Sequence, residues 1–141
     1  MSYQASEAER RGAGLVRAAR VVAVDAPKAR AQVSFGGETQ SAWLPFMTMR
    51  AGAALVWAPP VAGELVWVLS ESGDTAQGVI LGSAFTAANP SPSTEAEAVE
   101  VHLGGSKIVV LDGSISLESN GSSLVLDAAG IRLNGARIDL N

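Results

Sequence analysis

Cysteine is absent from the 141 residues, so no disulfide supports the fold and no thiolate is available for nucleophilic chemistry or metal binding. Histidine occurs once, as His102, which leaves a Ser-His or Cys-His nucleophilic pair almost without candidates. Aromatics make up 5% and charged residues 17%, the latter below the usual quarter, yet 48% apolar residues suffice for a core. No apolar run approaches the roughly eighteen residues of a membrane-spanning helix. The opening MSYQASEAERRG is polar and mixed in charge, not a secretory signal. The expectation is a chain soluble where it is made, and not an enzyme. Gly104-Gly105-Ser106-Lys107 lacks the full spacing of a phosphate loop, and no helix follows it. Composition leaves carboxylate pairs for glycoside cleavage open, but the acids fall mostly in turns and on polar strand positions. Asn120-Gly121-Ser122 reads as a turn rather than a glycosylation site.

What is present divides into two halves. Residues 1–88 carry seven Lys/Arg and seven acids, whereas residues 89–141 carry three basic residues against seven acids, so the whole net charge of −4 sits there. Between them runs Ala87-Ala88-Asn89-Pro90-Ser91-Pro92-Ser93-Thr94, whose two X-Pro bonds force an extended path. The expected organisation is a polar arm over 1–12 that orders on a partner, a barrel over 13–86, a linker over 87–98 and a repetitive shaft over 99–141.

The first half alternates as β-strands over 15–24, 29–35, 38–44, 64–70 and 78–84. Asp25-Ala26-Pro27-Lys28 and Gly36-Gly37 supply turns, and an irregular connection follows the third strand. That is the count and order of an OB-type barrel, although another small five- or six-stranded barrel reads much the same. Such barrels bind single-stranded nucleic acid through a basic groove with stacking aromatics, and this is the alternative function. Here the half is formally neutral with scattered arginines, which weakens that reading. Trp43, Trp57 and Trp67 read as packing or subunit contacts, and Trp67, between Val66 and Val68, as core.

In the second half apolar pairs two residues apart recur: Val101/Leu103, Ile108/Val110, Ile115/Leu117, Leu124/Leu126, Ile131/Leu133 and Ile138/Leu140. The first members advance by seven, twice, around a two-residue insertion at Asn120-Gly121. A coiled coil places its apolar residues three and four apart, so these units are strands with one apolar face. Gly105, Gly113, Gly121, Gly130 and Gly135 fall between them as turn residues. A repeat of this kind signals a solenoid or β-helix. Nothing left in the sequence covers the apolar stripe, so it calls for other copies. Three chains about one axis would place Ile108, Val110, Ile115, Leu117, Leu124, Leu126, Ile131, Leu133, Ile138 and Leu140 in a common core. Six rows at about 4.8 Å would give a prism roughly 25–30 Å long. The fold class expected is all-β, an OB barrel followed by a short trimeric, intertwined β-helix or β-prism.

The order and spacing of several motifs resemble the phage baseplate assembly protein V family, the spikes of contractile tails, related to the type VI secretion spike. They are Gly14 with the first strand, Trp43-Leu44-Pro45, Arg50-Ala51-Gly52, Trp57-Ala58-Pro59-Pro60 with Gly63-Glu64, and Gly73-Asp74 leading into Gly78-Val79-Ile80-Leu81-Gly82. The resemblance spans nearly the whole chain. It implies a homotrimeric spike of a phage tail or related injection machine, assembled in the host cytoplasm. Its OB end would sit on a baseplate hub protein, and sheath contraction would drive it into transient contact with the host outer membrane. Some members end in a His-x-His pair that binds iron. That motif is missing here, so no metal or other cofactor is carried over, and His102 reads as solvent-facing with an axial ion site as the minor reading. The last repeat suggests a platform at Leu140 and Asn141 for a separate PAAR-like tip protein. Nucleic acid is not expected as a partner.

Overall fold

The computed structural model describes residues 3–74 and 76–141. The chain divides into two units, Met1–Pro90 and Ser91–Asn141.

The first unit opens with a helix, α1 (Tyr3–Ala13), over the polar segment that the sequence assigns to an arm. Strand β1 (Val16–Asp25) then pairs antiparallel with β2 (Arg30–Gly36) on one side and β5 (Leu65–Leu69) on the other, and β5 pairs with β6 (Val79–Ala84). The third expected strand is broken into β3 (Thr39–Gln40) and β4 (Leu44–Pro45), both on β2. Ser41 sits at the break and is buried: its backbone N–H donates to the Val33 carbonyl (2.8 Å), and its hydroxyl accepts from the Val33 N–H (3.0 Å) and donates to the Ala42 carbonyl (2.6 Å). A serine that satisfies both polar groups of its partner residue lets the ladder continue past a local kink. Past β4, Phe46 bridges Ile80 in parallel, with the Met47 N–H donating to the Ile80 carbonyl (2.8 Å). That parallel closure turns the sheet into a barrel of OB type.

Alternation decides what fills it. Ala19 and Val21 of β1, Ala31 and Val33 of β2, Leu44, Val66 and Val68 of β5, and Ile80 form the buried core, with Val24, Phe35 and Phe46 packed against it. Trp67 is a correction to the sequence reading. Its two valine neighbours point inward and are fully buried, so period two forces the indole outward, where it is 44% exposed.

The second unit is a five-stranded antiparallel meander in the order β11-β10-β9-β8-β7. The strands are β7 (Val99–Leu103), β8 (Ser106–Leu111), β9 (Ser114–Ser119), β10 (Ser122–Asp127) and β11 (Gly130–Asn134). Two residues separate each strand from the next. Asn120 and Gly121 take φ of 47° and 89°, the paired left-handed conformations of a type I′ hairpin turn, and the Asn-Gly dipeptide is its preferred sequence. At the first turn it is Gly104, not the expected Gly105, that takes positive φ. The sixth expected strand, the unit carrying Ile138 and Leu140, is not formed. Gly135 does not adopt positive φ, so the chain does not reverse after Asn134, and residues 135–141 leave β11 unpaired on its outer side.

Candidate assembly face

Register across the meander brings the aliphatic residues into two straight rows. One runs Val101, Ile108, Leu117, Leu124, Leu133, and the other Val99, Val110, Ile115, Leu126, Ile131, each residue directly opposite the next. Residues opposite one another in antiparallel strands share a face, so all ten lie on one side of the sheet. Eight of the residues expected in a common core are among them: Ile108, Val110, Ile115, Leu117, Leu124, Leu126, Ile131 and Leu133. Ile138, Leu140 and Asn141 follow β11 outside any strand. Val99, which the sequence reading left out, begins the second row, and its signal was the alternation with Val101. Leu103, expected to pair with Val101 on the apolar stripe, instead heads a third row of Ser106, Ser119 and Ser122, at the hairpin end of the face. There the Ser106 and Ser119 hydroxyls lie 2.7 Å apart. A shallow concavity of about 440 Å³ runs along this border, lined among others by Val101, Leu103, Ile108, Leu117 and Ser122.

The opposite face carries the charges. Lys107 Nζ lies 3.2 Å from Glu118 Oε2 across the strands, and His102 Nε2 lies 3.0 Å from Glu100 Oε1. Hydrogen bonds from Ser93 first, and then from His102, hold the Glu100 carboxyl below the usual range. The Asp127 carboxyl is lowered too, by Arg132, whose guanidinium donates at 2.6 and 3.1 Å, and by the Ala129 N–H at 2.9 Å.

Exposure on the two faces is inverted relative to an ordinary soluble sheet. In β9, Ser114, Ser116 and Glu118 are half-buried while Ile115 and Leu117 are exposed. In β8, Lys107 and Val109 are half-buried while Ile108 and Val110 are exposed. A single chain in water with its aliphatic face open and its charged face partly covered has a surface made for contact, not for solvent.

Among the described residues no group of three His, Asp or Glu is placed to hold a metal ion. Three arginines of the barrel each engage a separate partner: Arg17 lies 4.0 Å over the Phe35 ring, Arg20 donates to the Gly63 carbonyl (3.1 Å), and Arg30 to those of Lys28 and Ala29.

Comparison with known proteins places the barrel. Residues 17–85, from β1 through β6, match the type VI secretion system/phage-baseplate injector OB domain. The chain is also similar to the spike protein of Escherichia phage P2, at 30% identity over 95 residues. Those residues are 67% of this chain and 44% of the P2 protein, so the chain spans under half the length of that relative.

Proposed function

Because the chain belongs to the phage baseplate assembly protein V family, we propose that it is the homotrimeric central spike of a contractile tail or related injection machine, and that it carries no catalytic activity. The observation that supports this most is the open two-row aliphatic face of the β7–β11 meander. Each strand offers two aliphatic side chains inward. Fully burying a Val, Leu or Ile contributes about 1.5–3 kcal/mol; for half-exposed side chains about half of that remains, so ten of them supply on the order of 10 kcal/mol per chain, before the losses of association. Three such faces close around one axis, each sealing the long edge of the next, whereas two leave both edges of the stripe open to water. At about 4.8 Å per strand the five strands cover roughly 20 Å of axis. Ile138 and Leu140 would extend that core as a sixth rung once neighbouring chains supply something for them to pack on.

In this reading the OB barrel seats the trimer on a hub protein of the baseplate. The shaft crosses the host outer membrane when the sheath contracts. A shaft whose successive strands are hydrogen-bonded to one another transmits axial load without a flexible step. Light scattering on the purified chain tests the assembly: the expected mass is that of three chains, retained in mild SDS. A mass of one or two chains would overturn the trimer.

A further inference from the structure

Between β4 and β5 the barrel's chain makes an excursion over residues 47–61 in which Arg50 is the one charged residue. It is a built element. Ala51 and Leu55 form an antiparallel bridge, the Val56 N–H donates to the Arg50 carbonyl (3.0 Å), and the Thr48 hydroxyl donates to the Val56 carbonyl (2.6 Å). The returning limb brings Trp57 beside Phe46, with ring centroids 5.9 Å apart and planes tilted by 49°. These residues enclose a notch of about 230 Å³, lined by Ala29, Phe46, Arg50, Leu55, Val56 and Trp57. Phe46 also packs on the barrel core, so the notch has a rigid floor.

Two features of the notch point to the chemistry of an occupant. Its walls are aromatic and aliphatic, with Trp57 still 55% exposed, which suits one apolar side chain. At its rim the Arg50 guanidinium has no ion-pair or hydrogen-bond partner among the described residues, while Arg17, Arg20 and Arg30 are all engaged. An unpaired guanidinium beside an apolar wall complements a carboxylate, which it binds in bidentate fashion. We infer that the notch is a binding site for a short segment of a partner protein in which an aliphatic or aromatic side chain stands next to a carboxylate. The side chain enters against Trp57 and Phe46, and the carboxylate lies on Arg50. That the partner is a baseplate protein rests on the function proposed above; the ligand chemistry rests on the notch alone. A nucleic-acid strand is a poorer fit, because one cation neutralises one phosphate and leaves the rest of the backbone unpaired.

The test uses the full chain and a defined probe. Acetyl-Glu-Leu is titrated to millimolar concentration while the indole N–H resonances of Trp43, Trp57 and Trp67 are followed by NMR. The expected result is a saturable shift of Trp57, with Trp43 and Trp67 unmoved. Arg50→Glu should weaken binding tenfold or more, Arg50→Lys less, and the amide acetyl-Lys-Leu-amide should bind weakly if at all. A Trp57 resonance that stays fixed, or that moves equally for both peptides, overturns the site. Binding of the purified hub protein is measured separately. If the peptide binds and the hub does not, the hub reading fails and the notch stands; if Arg50→Glu loses both, one site serves both.

Discussion

Val66, Trp67 and Val68 are consecutive on β5, yet the valines are fully buried and the indole between them is nearly half exposed. In a run where every residue is apolar, composition cannot set the phase of the alternation. Only the partners can, and here β1 and β6 put Ala18 and Gly82 opposite Trp67. Two small residues flank the indole on the outer surface and give it room to lie flat without entering the core. Size therefore misleads about importance at this position. Leu44→Ala, at a buried site on β4, is expected to cost about 2–5 kcal/mol by loss of burial and creation of a cavity. Trp67→Ala should change stability by less than about 1 kcal/mol, as for a surface site. Urea unfolding at one fixed chain concentration compares them, since association would otherwise shift the midpoint. Equal losses would put the indole back in the core.

At the level of elements, the meander was legible in its period and not in its connectivity. Strands of five or six residues joined by two-residue turns start every seven or eight residues, and antiparallel reversal makes the first members of the apolar pairs, Val99, Ile108, Ile115, Leu124 and Ile131, advance by nine and seven in alternation. The alternation in Ile115-Ser116-Leu117 fixes a face. It does not distinguish a hairpin to the next segment of the same chain from a crossing to another chain. The turns do: with two residues between strands, a chain can only fold back antiparallel. The break between β3 and β4 was not legible, because it depends on where Ser41 finds its hydrogen bonds. Nor was the fate of Ile138 and Leu140, whose alternation matches the other strands but whose pairing needs Gly135 to reverse the chain. Turn geometry also gives the element-scale prediction. Gly121→Val places a β-branched side chain at φ 89° and should lower stability by about 1–2 kcal/mol. Gly52→Ala meets no atom within 4 Å and has ordinary φ, so it should be neutral or slightly stabilising. Thermal unfolding of the two variants beside the parent measures this, and a neutral Gly121→Val would mean that the hairpin is not held in its type I′ form.

For the whole molecule the question is which face of the β7–β11 sheet meets the axis, and neighbouring residues of β9 decide it. Ile115 stands in an aliphatic row between Val110 and Leu126, and Ser116 stands on the other side between Val109 and Val125. Ile115→Asp would bring three carboxylates together in an apolar core with no cation in reach, since Lys107, Arg132 and their acidic partners all occupy the opposite face. Uncompensated burial of that kind costs more than the trimer contact returns. Ser116→Asp adds the same charge to the same strand with its carboxylate on the charged side. The expected outcome is that Ile115→Asp runs at the mass of one chain while Ser116→Asp keeps the mass of three, with strand content by circular dichroism retained in both. Reversal of the pair would place the charged face inside. An Ile115→Asp variant that still forms a trimer would remove the aliphatic rows from the axis, and the shaft would need another surface to hold it together.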